Sequence, residues 1–62
     1  MKIATIFYNI IVIEFNEDFV KYKFLDGGKG ISGRKWFSDV EVGQVWRMTC
    51  NGALVIECIR IS

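Results

Sequence analysis

The sequence predicts an all-β domain of about five antiparallel strands curled into a small barrel, and three observations predict it. Ile, Val, Phe, Tyr and Trp dominate while Ala and Leu are scarce, and β-branched and aromatic side chains suit a pleated, half-buried surface. Turn-forming residues recur at short intervals, at Asn16-Glu17-Asp18, Asp26-Gly27-Gly28 and Asn51-Gly52, dividing the chain into hairpin-sized pieces. Lys21 and Lys23 alternate with Val20, Tyr22 and Phe24, the period-two pattern of a strand with one wet and one buried face.

The elements follow in order. In residues 3–15, Ile3, Ile6, Phe7, Ile10 and Ile11 fit a helical stripe, which keeps an N-terminal helix packed on a sheet as one alternative. Four β-branched residues in succession, Ile10-Ile11-Val12-Ile13, favour a strand packed on both sides. The apolar run is far shorter than a membrane span, and no small-x-small cleavage site follows its single Lys2. It is expected to be part of the fold. A turn at residues 16–18 leads to a strand over 19–25, and a flexible glycine loop over 26–30 extends towards Gly33. Residues 34–37 form a short strand. Ser38-Asp39-Val40-Glu41 has capping-box spacing, with room for a single helical turn before Gly43.

Residues 44–49 and 53–61 read as two strands joined around Asn51-Gly52. A three-residue loop, Cys50-Asn51-Gly52, sets Trp46 opposite Ile56 and Met48 opposite Leu54. It gathers Trp46, Met48, Leu54, Ile56 and Cys58 on one apolar face and leaves Arg47, Thr49, Val55 and Glu57 on the other. A one-residue slip reverses the facing of a strand. With Cys50 at the turn and Cys58 down the strand, the two thiols are expected to be free and beyond disulfide reach.

Composition bounds the function. Sixty-two residues at net charge +1 make one domain, 1–62, and the chain contains no His. The commonest metal ligand and general base are therefore missing, and two Cys cannot close a tetrahedral zinc site. No nucleophile–base pair is recognisable, so the expectation is a non-enzyme with no cofactor and no metal. Nothing demands an oxidising compartment, which points to the cytoplasm. The chain is 52% hydrophobic, yet a domain this small hides only about 60% of its unfolded surface. Surplus apolar area is thus expected outside, where it marks a partner site or a self-association face. An open sheet completed by a second copy, a homodimer, is the alternative to a closed barrel.

Two motifs bear on binding. Gly28-Lys29-Gly30-Ile31-Ser32-Gly33 matches the G-x-G-x-x-G of dinucleotide sites. That motif works between a strand and a helix within a βαβ unit, which a chain of this length cannot hold, so it reads as a hairpin loop. The segment 21–37 is more informative. It gathers Lys21, Lys23, Lys29, Arg34 and Lys35 against the single carboxylate Asp26, interleaved with Tyr22, Phe24, Trp36 and Phe37. Trp36 and Phe37 are expected to point to opposite faces of a strand, leaving one of them exposed. The candidate binding residues are Lys21, Tyr22, Lys23, Lys29, Arg34, Lys35, Trp36 and Phe37. They suit a protein partner, with aromatic and Arg hot spots, or as the alternative a nucleic acid, with cations on phosphates and rings on bases.

The passage Tyr22-Lys23-Phe24-Leu25-Asp26-Gly27-Gly28-Lys29, continued by Gly33-Arg34, resembles the glycine-loop hairpin of the small archaeal chromatin proteins. That resemblance implies an SH3-like barrel and nucleic-acid contact, with an oligonucleotide-binding-like (OB-like) barrel the neighbouring possibility. Those proteins are far more basic than this one, whose acidic side chains outnumber the basic ones outside 21–37. Val42-Gly43-Gln44-Val45-Trp46, with Asn51-Gly52 and Leu54-Val55-Ile56, is similar to small β proteins of phage and mobile-element genomes. That similarity implies an inhibitor or adaptor and transfers no functional residue.

Overall fold

A computed structural model describes residues 4–62; Ile3, which the sequence places in the first strand, lies outside the described residues. Five antiparallel strands, β1 (Thr5–Phe15), β2 (Phe19–Phe24), β3 (Lys29–Gly33), β4 (Val45–Asn51) and β5 (Leu54–Arg60), form one sheet in the order β3-β2-β1-β4-β5. The sheet curls into a half-barrel, as an all-β chain of this composition predicts. Of the expected stretch, Thr5–Phe15 forms one long central strand rather than a helix, flanked on both sides by partners.

The concave face holds the core. Ile10 and Val12 of β1, Val20 and Tyr22 of β2, and Trp46, Met48 and Cys50 of β4 are buried there. Phe37 and Val40, from the segment between β3 and β4, close over them. Phe37 meets Trp46 edge-on, with centroids 5.1 Å apart and planes at 72°. Fully burying a side chain such as Ile10 or Val20 contributes about 1.5–3 kcal/mol. The closing segment is tied down by Gln44, whose amide oxygen accepts from the Glu41 backbone N–H and from Trp46 Nε1, while its Nε2 donates to the Asp39 carbonyl. These bonds replace the helical turn that the Ser38-to-Glu41 spacing suggested, since no helix forms there.

Two β-bulges decide which side chains face inward. In β1 the register with β2 slips between Val12 and Glu14, leaving Ile13 as the extra residue. In β5 it slips opposite Thr49 and Cys50. The expected three-residue hairpin loop is corrected here. Gly52, at φ +64°, and Ala53 make a two-residue turn that sets Asn51 opposite Leu54, and glycine at the first central position suits a type II′ turn. Met48 then faces Cys58, and Trp46 faces Arg60. Because one residue is inserted near Ile56, Val55 and Cys58 both pack against the core although three positions apart. Leu54 and Ile56, expected beside Trp46, are exposed instead.

Two further expectations change. Residues 34–37 form a 3₁₀ turn, Arg34–Trp36, rather than a strand, which turns Phe37 back towards Tyr22 and Trp46. The glycine loop is shorter than expected, because positive φ is confined to Gly27 and Gly28 and β3 starts at Lys29. Gly30 sits inside that strand for a steric reason: a Cβ there would lie 2.5 Å from Cε1 of Tyr22, its cross-strand neighbour.

Candidate functional site

The strand registers place specific side chains side by side on the convex face of the sheet. Lys23 lies between Lys29 of β3 and Ile11 of β1, and Ile11 is followed by Val45 of β4. In the adjoining row Ile31, Lys21 and Glu14 are neighbours, next to the bulged Ile13. On the other side Asn9 faces Arg47, and Arg47 faces Ile59; beyond them come Phe7, Thr49 and Glu57. Directly opposed side chains approach to about 4.5–5.5 Å between Cβ atoms. This face therefore mixes apolar side chains with four cations, two carboxylates and neutral polar groups.

Ile11 and Val45 are half-buried, but the other apolar members are not covered. Phe7 is 63% exposed, Ile31 56%, Ile59 49% and Ile13 41%. Ile13, Ile31, Lys21 and Lys29, with Tyr22 and Gly30, line a shallow, open recess of about 370 Å³. Lys21 Nζ stands 3.7 Å from Glu14 Oε2, both side chains well exposed, a contact worth about 0–1 kcal/mol. Among the described residues no other ion pair forms.

The sequence-predicted site residues separate into three groups. Lys21, Lys23 and Lys29 come together on the convex face. Tyr22 and Phe37 are in the core and present no ring to a partner. Tyr22 shares a 2.7 Å hydrogen bond with Ser32 Oγ, and burial raises its phenol above the usual range. Arg34, Lys35 and Trp36 form the 3₁₀ turn. Arg34 Nη1 donates to the Phe37 carbonyl at 2.6 Å and its guanidinium lies 6.0 Å from the Phe15 ring centroid. Lys35 covers Trp36, with Nζ 5.4 Å from the ring centroid, and Trp36 is half-buried against the core.

Sequence reasoning placed Arg47 on the face away from Trp46 without assigning it to a site, and passed over Phe7, Ile13, Ile31 and Ile59. Alternation about the lysines points to Ile31 once its pairing with Lys21 is known. No sequence signal singles out Ile13 within its β-branched run; it shares the face of Ile11 by alternation, and the bulge brings Glu14 to the same face beside it.

Both cysteines are free thiols; burial raises Cys50, and burial, then the neighbouring Cys50 and Glu57, pushes Cys58 up to about 11. A thiol held protonated is a poor nucleophile. Among the described residues no group of three or more His, Cys, Asp or Glu side chains is placed to hold a metal ion, and no helix is long and apolar enough to cross a membrane. Comparison with protein-family models, with curated proteins and with solved structures returns no match.

Proposed function

We propose that this domain is a non-enzymatic recognition module that binds another protein through the convex face of its sheet. One observation carries the reading: Phe7, Ile13, Ile31 and Ile59 are exposed together on a face that the core does not use. Aliphatic and aromatic groups rimmed by charges make up the usual centre and border of a protein interface. A small barrel of the SH3-like kind, working as an inhibitor or adaptor of phage or mobile-element type, fits such a division. One face stabilises the domain while the other stays free to vary. Its two free thiols suit the reducing cytoplasm.

Nucleic-acid binding is the second reading, favoured by the clustering of Lys21, Lys23 and Lys29 with Arg47 on the same face. It is weakened by the loss of Tyr22 and Phe37 to the core and by Glu14 and Glu57, which lie on that face as well.

Cross-linking in cells separates the two. A specific protein captured by the native chain and lost in an Ile31→Ser/Ile59→Ser variant of unchanged fold is the expected result. A capture profile indifferent to that variant, joined to oligonucleotide binding that collapses as salt rises, contradicts the protein reading.

A further inference from the structure

We infer that the convex face takes an acidic partner segment anchored by an aliphatic side chain, its carboxylates reaching Lys23 and Lys29 and its anchor entering the recess between Ile13 and Ile31. This rests on the recognition reading above and specifies the partner's chemistry.

The charge arrangement argues for it. Lys23 and Lys29 are direct cross-strand neighbours, and like charges directly opposed weaken a sheet. No carboxylate of the described residues lies within 4.0 Å of either. Lys21, the third cation of the group, already has Glu14 beside it. Lys23 and Lys29 are thus two adjacent like charges that the chain leaves uncompensated, whereas Arg47 stands singly between Asn9 and Ile59. An anion settling between the two lysines converts a repulsive pair into two attractive ones.

The shape argues for the apolar component. Lys29 lines the same recess as Ile13 and Ile31, so a carboxylate at Lys29 and an aliphatic group between the two isoleucines can come from positions two apart on one extended chain. A nucleic-acid strand supplies the charge but nothing aliphatic to fill the recess. A second copy meeting this face with its own convex face would have to offer Glu14 or Glu57, which lie among its own exposed apolar and basic groups.

The test is an amide NMR titration of the full chain with a synthetic peptide of repeating Leu-Leu-Glu-Glu, about eight residues long, which when extended presents both Leu and Glu on each of its faces. The same peptide with Lys for Glu, and an oligothymidylate, are titrated in parallel. The expected result is shifts confined to Ile13 and residues 21–23 and 29–31, with affinity falling about tenfold in Lys23→Glu/Lys29→Glu and unchanged in Lys35→Glu at the 3₁₀ turn. Equal binding of the Lys peptide, shifts elsewhere, no binding of the acidic peptide, or tighter oligothymidylate binding at these residues each overturns the inference. Shifts that change with protein concentration alone assign the face to a second copy and overturn it too. Should Ile31→Ser/Ile59→Ser abolish capture of a cellular partner while Lys23→Glu/Lys29→Glu preserves it, the acidic segment is excluded and protein recognition stands. If neither variant affects capture, both readings fall.

Discussion

Within β1, Ile10 and Val12 are sealed while Phe7, three positions before Ile10, and Ile13, next to Val12, lie open to solvent. Side chains of similar hydrophobicity on one strand thus meet opposite fates. Cover decides between them. The segment between β3 and β4 folds back over the concave side, bringing Phe37 and Val40 against Tyr22, Trp46 and their neighbours. No second layer of described residues packs on the convex side. In a sheet of this size composition alone does not locate the core; the one closing segment does, and it leaves the other face available for a partner.

Substitutions that break or sharpen this contrast rank by size. The largest effect belongs to the cover. Phe37→Ala removes a buried ring and opens a cavity, costing about 3–5 kcal/mol in urea-induced unfolding. Gly30→Val comes next: its side chain must displace the Tyr22 ring, a strain of about 1–3 kcal/mol. It registers as a lower urea midpoint together with loss of the Tyr22–Ser32 hydrogen bond. Gln44→Ala leaves Trp46 Nε1 and the Glu41 N–H without their acceptor, at about 1–3 kcal/mol. Amide exchange across residues 37–44 should rise with it.

A smaller effect is linked to pH. The folded state holds the Cys58 thiol at about 11 against an ordinary 9.0, so the unfolded chain releases this proton first. The contribution is fully present below about pH 9 and is lost as the pH rises towards 11. Cys58→Val should flatten the stability profile in that window relative to the native chain, as followed by thermal unfolding. Smallest of all is Ile31→Ser on the convex face, expected within about 0.5 kcal/mol of the native chain.

Much of this contrast was legible in the sequence, and the losses have particular causes. Alternation through residues 20–24 put Val20 and Tyr22 inside and Lys21 and Lys23 outside, as the registers and burial have it. The same alternation argues against Tyr22 as a surface ligand, although aromatic and basic interleaving suggested otherwise. Trp46 was placed in the core, but its cross-strand partner was missed. Leu54, Val55 and Ile56 are all apolar, so either facing looks acceptable until a bulge is admitted. Ile13 was hidden for the same reason, within four β-branched residues. Phe37 reads as part of a strand because its neighbours do, and only the packing opportunity beside Trp46, from a different element, turns residues 34–36 into a 3₁₀ turn. Lys29 could be recognised as a candidate, but its opposition to Lys23 depends on how short the glycine turn is.

The most direct test of the division between faces is urea unfolding of Ile31→Ser/Ile59→Ser at two protein concentrations, alongside the native chain. The account predicts a loss of at most about 1 kcal/mol, two changes of about 0.5 each, with no dependence on concentration. A loss of several kcal/mol, or a native midpoint that rises with concentration while the variant's does not, would show that the convex face is a structural core, covered by further copies of the chain.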